Sequence, residues 1–84
     1  MHYQYATAGT CSILIDFDID ENHSVTNVVF TGGCNGNLKA ISKLVDGMSA
    51  EQIEAVLLGN TCRDKPTSCA DQLARAVHAA TESM

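Results

Sequence analysis

Four cysteines, Cys11, Cys34, Cys62 and Cys69, are the residues of this 84-residue chain best equipped for chemistry. A thiolate is a strong ligand for soft metals and a good nucleophile. Four in so short a chain read as a metal site or a redox site, weighed against the plainer role of buried thiols that pack as small hydrophobes. The spacing C-x22-C-x27-C-x6-C holds no C-x-x-C pair and matches no common zinc code by counting. The set is recommended by placement, because each cysteine falls at a junction between expected elements.

Those elements follow from the hydrophobic pattern. From Cys11 to Asp20 the chain alternates, with Ile13, Ile15, Phe17 and Ile19 on one face and Ser12, Asp16, Asp18 and Asp20 on the other; Leu14 is the exception. Residues 25–31 are rich in β-branched side chains and predict a second strand, joined to the first by the polar turn at residues 20–24. Tyr3, Tyr5 and Thr7 alternate as well and predict a short strand before Gly9. Pairing Ile15 with Phe30 and Phe17 with Val28 puts both apolar sets on one side, and an unbroken ladder then sets Cys11 opposite Cys34. Gly32 and Gly33 are the positions where that ladder would break.

Three helices are expected next. Leu38, Ile41, Leu44 and Val45 recur at helical spacing before Gly47. Ser49 and Gln52 form a capping-box signature ahead of Ile53, Val56 and Leu57, and Gly59 ends that run. Ser68 and Asp71 resemble the same box, followed by the stripe Leu73, Ala76, Val77 and Ala80, with Cys69 in the first turn. The expected architecture is α+β: a small antiparallel sheet of two to three strands followed by three helices packed on one face, in a single domain over residues 1–84.

Around the thiols, Gly32, Gly33, Cys34, Asn35 and Gly36 make a glycine-rich turn from strand into helix, where backbone N–H groups and the helix dipole favour an anion. Gly32, Gly33, Asn35 and Gly36 are therefore candidate cofactor-binding residues, though the turn has neither G-x-G-x-x-G nor a G-K-[ST] ending. Arg63 and Lys65, beside Cys62, would offset the charge of a thiolate cluster. Asp16, Asp18, Asp20 and Glu21 lack the EF-hand layout and read as a solvated strand face. His2, His23 and His78 have no partner at the level of sequence and are expected to be solvated.

Composition narrows the function. A net charge of −5 with five Lys and Arg argues against nucleic-acid binding. No apolar run approaches the roughly 20 residues of a membrane span, and the N-terminus lacks a secretory layout, so a cytoplasmic protein with reduced thiols is expected. No nucleophile–base–acid set is visible, which points away from an enzyme acting on its own. Exposed sheet edges make a homo-oligomer a natural expectation.

Two resemblances rest on these residues. Thr67-Ser68-Cys69-Ala70-Asp71 resembles the motif that names the TSCPD domain, with Ala70 in place of proline. With Tyr5, Gly9-Thr10-Cys11, the turn from Gly32 to Leu38 and Asp71-Gln72-Leu73-Ala74, nearly the whole chain is similar to the small four-cysteine TSCPD proteins of bacteria. Related segments occur in adenosylcobalamin-dependent ribonucleotide reductases, so the resemblance implies a link to ribonucleotide reduction, and annotation in the family often carries the name ribonucleoside-diphosphate reductase. More distantly, the element order resembles NifU-type iron–sulfur scaffolds, in which three cysteines hold zinc or a cluster. Cys11, Cys34 and Cys69 match those three; Ile13 stands where the scaffold has aspartate, and Cys62 would supply a fourth ligand. The expected function is a small metal-binding protein holding zinc or an iron–sulfur cluster on Cys11, Cys34, Cys62 and Cys69. The alternative is a non-catalytic thiol, nucleotide- or flavin-binding accessory to ribonucleotide reduction.

Overall fold

The computed structural model describes residues 1–10, 12–33, 35–61 and 67–84. Three strands, β1 (His2–Ala6), β2 (Ser12–Ile19) and β3 (Val25–Gly32), form an antiparallel sheet in the order β1-β2-β3. Three helices follow, α1 (Asn35–Val45), α2 (Ala50–Leu57) and α3 (Cys69–Glu82). The α+β architecture expected from the pattern is the one observed, including the short first strand.

Alternation on β2 sets the core. Ile15, Phe17 and Ile19 are fully buried and join Val25, Val28, Val45, Ile53, Leu73 and Val77 in one apolar cluster. Tyr3 stacks on Phe17 with ring centroids 5.9 Å apart and planes 18° from parallel. The opposite sheet face is mostly polar, carrying His2 opposite Asp18 and Gln4 opposite Asp16, with Val29 beside Asp16 as an exposed apolar residue. Even the first residue is held, since the Met1 ammonium donates to the Ile19 carbonyl at 2.9 Å and the Ile19 N–H returns to Met1 at 2.8 Å.

The hairpin departs from the expected register twice. Ile15 pairs with Phe30 as anticipated, but between Asp16↔Val29 and Asp18↔Thr26 the third strand carries one extra residue. Phe17 thus faces a bulge at residues 27 and 28 instead of pairing simply with Val28. Asn27 absorbs the bend with a φ of 55°, while its side chain donates to Asp18 at 2.9 Å and its N–H to Asp46 at 3.2 Å. A second shift separates Ser12↔Gly32 from Leu14↔Thr31. The unbroken ladder needed to set Cys11 opposite Cys34 is therefore interrupted just before it would reach them, and both cysteines lie outside the described residues.

The link between α1 and α2 runs back along the start of β3. Met48 O accepts from the Val25 N–H at 2.8 Å, Val25 O accepts from Gly47 at 2.7 Å, and His23 O accepts from Ala50 at 2.8 Å. Ser49 then caps α2 with the full reciprocal box, its hydroxyl accepting from Gln52 N at 3.1 Å and its N–H donating to Gln52 Oε1 at 3.0 Å. Two expected core positions are corrected: Leu44 is 77% and Val56 64% exposed. Each helix buries a narrower stripe than its apolar residues span, through Leu38 and Val45 on α1 and Ile53 on α2. Ile53→Ala is therefore expected to cost about 3 kcal/mol, and Leu44→Ala less than about 0.5 kcal/mol. Urea unfolding midpoints of the two variants check this; equal losses would contradict the placement of the core.

Candidate functional site

The motif residues at the start of α3 build a buried polar knot. Ser68 is the N-cap, with its side chain accepting from Asp71 N at 3.1 Å. Asp71 does not close the expected box back onto the cap. One methylene shorter than glutamate, its carboxylate instead accepts from the Gly59 N–H at 2.7 Å, from the Thr67 hydroxyl and from Arg75 Nε at 2.9 Å. The side chain is completely buried, while Arg75 is half-exposed. Burial alone would push its pKa up. The hydrogen bonds from Thr67, Gly59 and Arg75, with the charge of Arg75, outweigh that and hold it below the ordinary value of 3.8.

The knot ties two connections to α3. Gln72 donates to the Thr67 hydroxyl oxygen at 2.9 Å and accepts from Ala8 N at 3.2 Å, so α3 grips the link between β1 and β2. The Ser68 hydroxyl donates to the Asn60 carbonyl, which fixes the exit from α2. Gly9 adds a steric clasp: a Cβ on it would sit 3.2 Å from Thr67 Cγ2, and its φ of 75° disfavours other residues as well.

These ties bear directly on the cysteines. Ala8 and Gly9 precede Cys11; Asn60 precedes Cys62; Thr67 and Ser68 precede Cys69; and Ser12, which follows Cys11, pairs with Gly32, two residues before Cys34. The described flanks of all four are thus stitched to one another. Cys69 itself is a buried thiol in the first turn of α3. Cys11, Cys34 and Cys62, together with Arg63 and Lys65, lie outside the described residues. Among the described residues no group of three or more His, Cys, Asp or Glu side chains forms a metal site. Gly32 and Gly33 both take left-handed conformations, φ 81° and 82°, and are exposed at the end of β3; Asn35 and Gly36 begin α1.

Histidine pairing escaped the sequence. His2 lies between two carboxylates, Nδ1 2.9 Å from Asp18 and Nε2 3.0 Å from Asp16. His23 meets Glu51 at 2.7 Å, and His78 meets Glu54 at 2.6 Å. None is simply solvated. Those partners sit on other elements, where local spacing gives no signal; only the longer contact of His78 with Glu82, 3.5 Å and four residues on, is local. Hydrogen bonds to Asp18 and then Asp16 raise the His2 pKa above 6.5, since both ring nitrogens donate at once only in the imidazolium.

A family model, TSCPD domain, matches residues 1–81. No curated protein and no solved structure matches the chain. The resemblance to NifU-type scaffolds is not shown by these comparisons.

Two titrations follow. The contribution of Asp71 to stability is present above the ordinary carboxylate pKa and is lost as pH falls through its lower folded value. Asp71→Asn is expected to lose about 1–3 kcal/mol at neutral pH and to flatten the acid limb of the stability curve; an unchanged acid limb would contradict the assignment. His2 behaves oppositely, contributing below pH 6.5 and losing that contribution as pH rises through its raised folded value. Its NMR titration midpoint is expected above 6.5 and should drop in Asp18→Asn.

Proposed function

The chain belongs to the TSCPD-domain family, and from that premise we propose that it is a small metal-binding protein in which Cys11, Cys34, Cys62 and Cys69 hold zinc or an iron–sulfur cluster. The observation that carries this reading is the stitching of the cysteine flanks by Asp71, Gln72, Ser68 and Gly9 around the N-terminus of α3. A four-residue thiolate set fits either metal by ligand softness. In this reading Cys69 binds as a thiolate supported by the helix dipole. Arg63 and Lys65 offset the negative charge of the cluster, and Gly32, Gly33, Asn35 and Gly36 leave backbone N–H groups to hydrogen-bond sulfur. Bound metal would cross-link loops that the polar knot already brings together, so it should stabilise the fold.

The experiment is metal content per chain with an absorption spectrum, on protein purified anaerobically without a metal-binding tag. Close to one zinc, or iron with sulfide and visible charge-transfer bands, is expected, and each single Cys→Ser change should lower occupancy. Unchanged occupancy in all four variants, or a folded protein free of metal, contradicts the reading. A flavin or nucleotide copurifying with metal-free protein would instead favour the accessory role in ribonucleotide reduction.

A further inference from the structure

A groove of about 370 Å³ runs between β3 and α1, lined by Val28, Val29, Phe30, Leu38, Lys39 and Lys43. Three independent features of this groove point to one kind of occupant.

The first is a strand edge that is open among the described residues. Met1 and Ile19 exchange both backbone hydrogen bonds, so Phe17 and Ile15 bond toward β1 while Asp16 and Leu14 bond toward β3. Val29 and Thr31 therefore spend their hydrogen-bonding groups on β2, and the N–H and C=O of Phe30 face away from the sheet. Below that point the edge is closed, because Gly47 and Met48 bond to Val25 and Asp46 to Asn27. The bulge at Asn27 marks where the covered edge gives way to the open one.

The second is apolar surface beside that edge: Val29 is 55% exposed and Phe30 only partly buried. The third is charge. Lys39 and Lys43 stand one helical turn apart on α1 and are two of only five basic residues in a chain of net charge −5. Among the described residues neither makes an ion pair. The acid that lines the adjoining cavity, Asp46, already accepts the Asn27 N–H.

We propose that the β3–α1 groove binds an extended peptide segment of a partner protein, with apolar residues alternating with Asp or Glu, as an added strand along β3 at Phe30. Main-chain hydrogen bonds at Phe30 supply affinity; one face of the added strand sets its apolar side chains beside Val29, and the acids on the other face, that of Phe30 and α1, reach Lys39 and Lys43. A second copy joined edge to edge would bring four lysines together, so charge favours a foreign acidic strand. The proposal stands independently of the metal reading.

The probe is a pool of fluorescent hexapeptides with Val, Ile, Leu or Phe at alternate positions and Asp or Glu between, read by anisotropy and by amide shifts of the full chain. Binding is expected to weaken with salt and to move the amides of Val28 to Phe30 and Leu38 to Lys43. The double variant Lys39→Glu/Lys43→Glu, altered only at exposed positions, should bind the acidic pool roughly tenfold more weakly or worse and gain affinity for the matching pool with lysine. No binding at millimolar peptide, shifts mapping elsewhere, or affinity indifferent to the charge reversal overturns the proposal. A dimer in sedimentation that Val29→Lys dissolves would also overturn it, assigning the groove to a second copy.

Discussion

A buried carboxylate with too many donors to abandon organises this small domain. Asp71 has no exposure to water, and an unpaired charge there would be costly. Its position is tolerable only because Gly59, Thr67 and Arg75 all donate to it, which forces the end of α2 and the start of α3 into one arrangement. Thr67 in turn accepts from Gln72, whose carbonyl oxygen reaches the link between the first two strands. One acidic side chain thus couples two connections, the α2–α3 link and the β1–β2 link, to the start of α3.

This gives the letters of the TSCPD motif separate physical jobs. Thr67 relays the carboxylate to Gln72, Ser68 caps the helix and holds Asn60, and Asp71 is the anchor. Ala70 in place of proline fits a buried position one residue into α3, where no side chain of this network is missing. Cys69 is the remaining letter, and the other letters hold the chain on either side of it.

Much of this was legible in advance, for identifiable reasons. Alternation on β2 and the capping box at Ser49 are local signals, and both strand and cap appear as expected. The family resemblance was carried by a contiguous motif and is upheld across residues 1–81. Non-local features were not legible. The bulge at Asn27 depends on a left-handed backbone stabilised by Asp18 and Asp46, nine and nineteen residues away. The partners of His2 and His78 lie across the sheet or on a neighbouring helix. Leu44 and Val56 misled because helical periodicity says which residues share a face, not how much of that face a neighbour covers. Ser68 and Asp71 misled more usefully, since the same spacing that signals a cap here frees the acid to reach Gly59.

The two ends of β3 carry different burdens. Near Gly32 it pairs with Ser12, and at Phe30 it leaves an edge that is open among the described residues, beside Lys39 and Lys43 of α1, which make no ion pair among those residues. The central claim, that the knot gathers four thiols into one site, is tested most directly by cobalt(II) titration of the reduced, metal-free chain. The account predicts saturation at one equivalent, with sulfur-to-cobalt charge transfer and the intense visible bands of a tetrahedral thiolate site, all weakened in Asp71→Asn. Weak octahedral spectra, or no spectral change at all, would contradict it.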